Sequence, residues 1–214
     1  MGEKELDLFG RMLSKGSVYF EYGMGGSTLF ASEHPNLKHI TAVDASSEWV
    51  EKIRKEEAIG ADLRSGRIQL DYVDIGPVGE FSMPLESNPE KERNYSRAIL
   101  VDGRYRPACL MMTLLEAMQN NWPRLIIMMH DYEREKYQDV AERVLGKPTE
   151  LQGSKGRLLS SWELSGETLK KLRMDKMADA ERLYKQYEID PSSFRTNPSS
   201  AISTSDTSIS NAED

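Results

Sequence analysis

A carboxylate followed by closely spaced glycines is the first group of residues in this chain that could do chemistry. Glu21 lies two residues before Gly23, and Gly25, Gly26 and Ser27 follow. Glycines permit a tight turn and let the backbone approach a ligand, and the free N–H groups of a helix that starts there face that ligand. A carboxylate at this turn favours a cationic ligand group over a pyrophosphate. The alternative is an ordinary tight turn that binds nothing.

Three further acids follow short apolar segments. Asp44 ends one such segment roughly 20 residues after Gly23, the spacing at which a βαβ unit places an acid beside ribose hydroxyls. Its alternative role is to cap the next helix. Asp74 and Asp102 end the third and fourth apolar segments, where Asp74 could equally be a turn residue. The carboxyl ends of parallel strands share one sheet edge, so we expect these acids to lie close together.

His130 and Asp131 follow the fifth apolar segment. Histidine is the side chain best suited to move a proton near neutral pH, so we predict that His130 and Asp131 are catalytic. A histidine that only binds a neighbouring loop is the alternative. Arg104 and Arg106 follow Asp102, and they could bind an anionic group or pair with nearby acids.

The periodicity predicts alternating strands and helices that carry these residues. Helices are predicted over 3–14, 27–34, 47–58, 107–120, 133–145 and 166–188, and strands over 17–22, 39–44, 66–74, 98–102 and 123–132, with two more strands within 148–164. In the helix over 47–58 we expect Trp49, Val50 and Ile53 to face inward. The order indicates an α/β, Rossmann-like, doubly wound and mostly parallel seven-stranded sheet with a C-terminal antiparallel hairpin.

Composition limits the domain organisation and the partners. The chain has 214 residues, 38% of them hydrophobic, with a net charge of -7 and a single cysteine, Cys109. We expect one domain over 1–165, a charged helix over 166–189 and a disordered Ser/Thr-rich tail over 190–214. An acidic chain argues against tight, non-specific binding to nucleic acid or an anionic membrane, although it leaves room for a local basic pocket. We therefore expect a cytoplasmic monomer or homodimer that binds a small-molecule substrate, with neither nucleic acid nor membrane as a partner.

The segment between Ile75 and Tyr95 shows no periodicity and is interrupted by glycines and prolines. A loop of this length inside a compact domain is usually functional or disordered. It leaves the edge of the sheet where ligands bind, so a substrate-shaping lid and a mobile surface loop are both open readings.

The order of these residues resembles class I S-adenosylmethionine-dependent methyltransferases over 17–164. It is also similar to a little-characterised group of small methyltransferase-like proteins, with E-Y-G-x-G-G-S-T, D-I-G-P-x-G, V-D-G-R-Y-R and D-Y motifs at 21–28, 74–79, 101–106 and 131–132. The resemblance implies S-adenosylmethionine as cofactor, with Glu21 near its amino end and Asp74 near its adenine. The predicted cofactor-binding residues are Glu21, Gly23, Gly25, Ser27, Asp44, Asp74 and Asp102.

The resemblance also implies the reaction, which is methyl transfer to an unidentified, small-molecule acceptor. Catechol-type members of the family hold magnesium with acids after strands four and five, where Asp102 and Asp131 stand here; a further ligand has no match, and we predict no metal. Two rivals stay open, namely a non-catalytic binding or scaffold protein on the same fold and an NAD-dependent oxidoreductase. Glu21 and Thr28, which stands where a dinucleotide fingerprint has its third glycine, weigh against the oxidoreductase.

Overall fold

The computed structural model describes residues 1–73, 97–103, 105–154 and 156–187. Within them, helices and strands alternate almost throughout. The strands are β1 (Val18–Tyr22), β2 (His39–Asp44), β3 (Ile68–Tyr72), β4 (Arg97–Val101), β5 (Arg124–Met129), β6 (Glu150–Ser154) and β7 (Arg157–Ser165). The helices are α1 (Glu3–Ser14), α2 (Gly26–Ser32), α3 (Ser47–Arg54), α4 (Gly60–Ser65), α5 (Arg106–Gln119), α6 (Glu135–Leu145) and α7 (Gly166–Tyr187).

The strands form one seven-stranded sheet in the order β3-β2-β1-β4-β5-β7-β6. The first five are parallel, and β7 is antiparallel to both β5 and β6. The predicted fold class, with its C-terminal antiparallel hairpin, is confirmed. The chain runs from β1 to β2 on one side and to β4 on the other, so the strand order reverses beside β1.

Successive strand residues face opposite sides of the sheet, and each side is covered by helices. Tyr19 packs with α1 to α4 on one face, whereas Phe20 and Tyr22 pack with α5 to α7 on the other. Buried strands with few polar residues, such as Ala98 to Val101, fit a sheet covered on both faces. The two-sided packing leaves the carboxyl edge of the parallel strands as the place for a ligand.

The segment predicted as one helix over 47–58 is divided. Helix α3 ends at Arg54, a 3₁₀ turn covers Glu57–Ile59, and α4 follows. The physical reason is local: Glu56 adopts an extended conformation, with ψ at 120°, so the helical hydrogen bonds cannot continue. The expectation that Trp49 faces inward is also wrong, because Val50 and Ile53 are buried whereas Trp49 is 38% exposed.

Candidate functional site

A cavity of about 660 Å³ opens at the carboxyl ends of β1, β2 and β4. It lies where the strand order reverses, the position at which open α/β sheets bind ligands. Its volume is within the roughly 300–1,000 Å³ typical of small-molecule pockets. Its lining includes Glu21, Gly23, Gly25, Ser27, Asp44 and Asp102, together with Met1, Leu6, Met24, Phe30, Trp49, Tyr105, Arg106, Cys109, Met112 and Tyr184.

Hydrogen bonds from α2 hold Glu21 at the base of the glycine turn. The Ser27 hydroxyl donates to one carboxylate oxygen, and the Thr28 hydroxyl donates to the other at 2.9 Å. Thr28 also accepts from the Gly25 backbone N–H at 3.0 Å. Thr28, which replaces a third glycine, thus connects the turn to the acid. Glu21 therefore stabilises the turn and also lines the cavity.

The Glu21 carboxyl is fully buried, and this determines its proton affinity. Burial raises its pKa to about 8, the Ser27 and Thr28 hydrogen bonds oppose the rise, and Asp102 adds to it. A carboxyl with such a pKa is largely protonated in neutral solution. A cationic ligand beside it favours its ionised form, because opposite charges attract.

The turns after β1 and β4 touch through their backbones. A Cβ atom at Gly103 would lie 2.9 Å from the Gly23 nitrogen, and one at Gly23 would lie 3.0 Å from the Gly103 Cα. Gly23 also has a φ of 91°, which favours glycine. Backbone hydrogen bonds join the same edge, from Gly23 to Val43 and from Asp102 to Tyr22. Both glycines are therefore required by this crossing.

Asp44 lies at the end of β2 with one side of its carboxylate engaged. Its Oδ1 accepts from the Ser46 backbone N–H at 2.9 Å. The cap of α3 is Ser46, whose hydroxyl accepts from the Trp49 N–H. Asp44 is therefore not the helix cap, and within the described residues its Oδ2 makes no hydrogen bond. An open carboxylate oxygen in a cavity wall suits a ribose hydroxyl.

A buried charge cluster lies beside the cavity at the ends of β4 and β5, formed by Glu5, Asp102, Arg106, His130 and Asp131. Arg106 is its centre and is only 11% exposed. Its guanidinium bonds the carbonyls of Gly103, His130 and Asp102 and the carboxylates of Asp102 and Asp131, at 2.7 to 3.1 Å. Four of these contacts are hydrogen bonds, and the contact with the Asp102 carboxylate is an ion pair, so most of the five N–H donors of this arginine are used within the protein.

His130 is held between carboxylates on both sides. Its Nδ1 lies 3.0 Å from Asp102 Oδ1, and its Nε2 lies 2.8 Å from Glu5 Oε1, although the Nε2 contact lacks hydrogen-bond alignment. Burial lowers the pKa of His130, but Asp102, Asp131 and Glu5 outweigh this effect and raise it above its usual value. The contacts favour a charged imidazolium that ties α1 to the sheet.

Asp131 has little freedom to leave this cluster. Burial raises the pKa of Asp131, but the charges of Arg106, His130 and Arg134 together lower it by more, so this pKa lies below its usual value. Its φ is 56°, and Tyr105 before α5 has a φ of 60°. Positive φ is uncommon for residues other than glycine and concentrates at functional sites.

The structure places six of the predicted site residues in the cavity wall and two beside it, next to Asp102. Glu21, Gly23, Gly25, Ser27, Asp44 and Asp102 all line the cavity. His130 and Asp131 are not among its lining residues and lie in the buried charge cluster. Asp74, Arg104 and the segment over 75–96 fall outside the described residues, as does the tail over 190–214. In the described part of the chain, no group of three or more His, Cys, Asp or Glu side chains is arranged to hold a metal ion.

Several lining residues could not be found from the sequence patterns. Leu6 is noticeable only as part of an amphipathic helix. Thr28, which supports the turn without lining the cavity, is noticeable only as the absent third glycine. Tyr184 lies on α7, far along the chain, and Met112 reads as core packing in α5. Trp49 offered one signal, its position shortly after the candidate ribose acid.

No protein-family model and no curated protein matches the chain. Solved structures do resemble it. A methyltransferase-like protein from Silicibacter pomeroyi matches with a TM-score of 0.50 and 22% identity over 80% of this chain and 93% of its own. An RNA methyltransferase from Salinibacter ruber, solved with S-adenosyl-L-homocysteine, matches with a TM-score of 0.42 and 13% identity over 73% of this chain and 90% of its own. The N-methyltransferase NodS from Bradyrhizobium japonicum matches with a TM-score of 0.41 and 16% identity over 74% of this chain and 93% of its own.

The Silicibacter likeness shows that the chain has a methyltransferase-like fold of the Rossmann type. The sheet order and the antiparallel β5-β7-β6 region agree with that assignment. Of the helices in the described ranges, none combines the length and the apolar character that a membrane crossing needs.

Proposed function

We propose that the protein binds S-adenosylmethionine in the cavity and transfers its methyl group to a small-molecule acceptor. The observation that carries this proposal is the pairing of a glycine turn with an acid across the point of strand reversal. Gly23 and Gly25 present backbone on one side, and Asp44 presents an open carboxylate oxygen on the other. The methyltransferase-like fold supports the same conclusion.

The charges of the cavity fit this cofactor better than a dinucleotide. Among the described lining residues, the acidic side chains are Asp44, Asp102 and Glu21, whose carboxyl ionises when a cation binds beside it, and the one cationic side chain is Arg106. Arg106 pairs with the carboxylates of Asp102 and Asp131, so its charge is balanced within the protein. A sulfonium and an ammonium group suit an acidic cavity, whereas a pyrophosphate is repelled.

The chain's own residues would hold and orient the cofactor. Asp44 would accept hydrogen bonds from the ribose, the backbone from Gly23 to Gly25 would lie along the chain of the cofactor, and Glu21 with Ser27 would face its amino end. A bound S-adenosylmethionine supplies a methyl carbon that is already electrophilic. The protein then has to align the acceptor with that carbon, exclude water and remove a proton where the acceptor carries one.

His130 and Asp131 are our proposed residues for proton removal. The raised pKa of His130 favours its charged form, which cannot accept a proton, so its use as a base requires that an acceptor or a movement of α1 loosens its contact with Glu5. His130→Ala and Asp131→Ala should each slow transfer to an identified acceptor. Unchanged transfer would exclude the residue concerned.

The second candidate is a protein that binds the cofactor without catalysis. It is favoured by one observation: both candidate proton acceptors are engaged in the buried charge cluster rather than on the cavity wall. Cofactor affinity without transfer to any member of a broad panel of hydroxyl, amine and thiol acceptors would support this candidate over the enzyme.

Calorimetric titration tests the cofactor assignment directly. The wild-type protein is titrated with S-adenosylmethionine, S-adenosylhomocysteine and NAD, beside Asp44→Ala. We expect micromolar binding of the first two, no binding of NAD, and a loss of at least about tenfold in Asp44→Ala. Asp7→Ala is the matched control, because Asp7 is an exposed acid of α1 whose partner is Arg11. Binding of NAD alone would overturn the proposal.

A further inference from the structure

We propose that Trp49 is a positioning residue for the cofactor, which holds the glycine turn against the end of β2 and forms an aromatic wall of the cavity. This inference rests on the proposed function. It adds a residue that neither the motifs nor the apolar periodicity indicates as part of the site.

The indole of Trp49 is bonded to the glycine turn itself. Its Nε1–H donates to the Met24 carbonyl at 2.6 Å. Met24 stands between Gly23 and Gly25, so this bond holds the Met24–Gly25 peptide of the turn. The ring also lies against the turn, since a Cβ atom at Gly25 would be 3.7 Å from a carbon of the six-membered ring.

A short series of hydrogen bonds extends from this contact to the proposed ribose acid. Asp44 Oδ1 accepts from the Ser46 N–H at 2.9 Å, and Ser46 Oγ accepts from the Trp49 N–H at 3.3 Å. Trp49 then donates to Met24. The first turn of α3 therefore connects the end of β2 to the turn after β1. Both proposed cofactor-binding loops are held in one arrangement before a ligand arrives, which reduces the ordering cost of binding.

The exposure of Trp49 distinguishes it from a core residue. Helix α3 packs on the sheet through Val50 and Ile53, which are 1% and 4% exposed, whereas Trp49 is 38% exposed and lines the cavity. Lys52 Nζ lies 4.3 Å from the ring centroid and helps to hold the indole in place. An aromatic side chain in a cavity wall provides apolar contact area for a bound nucleoside.

The test separates the indole N–H from the ring and from general stability. Trp49→Phe keeps an aromatic ring and loses the donor to Met24, and Trp49→Leu removes the ring as well. Trp162→Phe is the matched control, because Trp162 Nε1 donates to the Gly146 carbonyl at 3.1 Å and the residue is not among those lining the cavity. The readouts are the Kd for S-adenosylhomocysteine, the melting temperature, and hydrogen exchange of the Gly25 to Ser27 amides without ligand.

We expect Trp49→Phe to raise the Kd about tenfold and to speed exchange at the turn, while Trp162→Phe changes neither despite its own loss of stability. Trp49→Leu should raise the Kd further. Wild-type affinity in Trp49→Phe would overturn the proposal, and so would a weaker affinity that Trp162→Phe reproduces. If the wild-type protein binds neither S-adenosylmethionine nor S-adenosylhomocysteine, the proposed function fails and the cofactor role of Trp49 with it. In that case, hydrogen exchange of the Gly25 to Ser27 amides still shows separately whether Trp49 stabilises the glycine turn.

Discussion

The glycine turn and the buried charge cluster adjoin the same cavity, but they use their polar groups differently. At the turn, the residues from Gly23 to Ser27 line the cavity and one oxygen of Asp44 makes no hydrogen bond within the described residues, although the Gly23 and Gly25 N–H groups and the Met24 carbonyl are bonded within the protein. In the cluster, Arg106 makes four hydrogen bonds to protein acceptors and pairs with the Asp102 carboxylate, and His130 lies between Glu5 and Asp102. The first region leaves polar groups available to a ligand, whereas the second joins α1, β4 and β5, and its His130 must lose a contact before it can accept a proton.

This difference shows that residue type alone does not identify a reactive group. His130 and Asp131 have the side chains most often used for catalysis, yet strong charged partners surround them. Glu21 and Asp44 look like ordinary acids after apolar segments, yet both face a cavity. A polar group that lines a cavity and still has a free hydrogen-bond donor or acceptor is the better candidate for contact with a ligand.

Gly103 is where the two regions meet, and its substitution should have the largest effect. In Gly103→Ala the new Cβ would lie 2.9 Å from backbone atoms of Tyr22 and Gly23, which cannot move cheaply. We expect a loss of about 3 kcal/mol in the free energy of unfolding and no measurable binding of S-adenosylhomocysteine. Denaturant unfolding and calorimetry measure both.

Gly60→Ala is the control for that substitution. Its Cβ would meet only the flexible end of Arg64, at 3.4 Å, and alanine is the better helix former by up to about 1 kcal/mol. If Gly103→Ala were as stable as Gly60→Ala and bound S-adenosylhomocysteine as tightly, the two turns would not need this close approach.

The pH dependence of stability should reveal the buried Glu21. Its pKa is about 8 in the folded protein, above the value of an exposed glutamate. The folded state therefore binds more protons between about pH 4.5 and 8, and the free energy of unfolding should fall with rising pH in that window, by up to roughly 1.4 kcal/mol per pH unit. Glu21→Gln should flatten the slope.

Glu163→Gln is the control, because the pKa of Glu163 lies below its usual value, held there by Lys15 and Arg124. Its stabilising contribution is present above the unfolded pKa and is lost only at more acidic pH. The control should therefore keep the wild-type slope between pH 4.5 and 8. A Glu21→Gln slope equal to that of the control would contradict the buried, protonated carboxyl.

Glu5→Gln tests whether the buried charge cluster is structural. Glu5 is 1% exposed, so its replacement leaves His130 with one buried charged partner fewer. We expect a loss of about 3 kcal/mol in the free energy of unfolding, with an affinity for S-adenosylhomocysteine within about twofold of wild type. Asp7→Asn, on the exposed side of α1, should cost less than about 0.5 kcal/mol. A strong loss of affinity at normal stability would instead place Glu5 in the binding site.

Thr28→Val gives the smallest expected effect and tests the turn alone. Valine keeps the shape and removes the hydroxyl that joins Gly25 to Glu21. We expect a loss of about 1.5 kcal/mol in stability together with weaker cofactor binding. Thr113→Val, whose buried hydroxyl donates to the Cys109 carbonyl in α5, should lose stability without weakened binding. If the two variants bound S-adenosylhomocysteine equally well, Thr28 would have no part in cofactor binding.

Much of the fold could be predicted because its signals are local. Apolar segments and breakers predicted seven strands, and β2 was placed at its observed bounds, His39–Asp44. The division of α3 from α4 was missed, since it depends on the conformation of Glu56 rather than on periodicity. Trp49 was misplaced because an aromatic residue in an amphipathic helix is usually core.

The sequence by itself determined the α/β architecture and the edge of the sheet that carries Glu21, Asp44 and Asp102, because strand periodicity and glycine spacing are properties of short segments. Only the tertiary structure decided which polar groups stay open. His130, after β5, contacts Glu5 in α1, which lies far from it in the sequence, and α7 places Tyr184 at the cavity. Such contacts join residues far apart in sequence, and the hydrogen bonds and burial that set their chemistry exist only after folding.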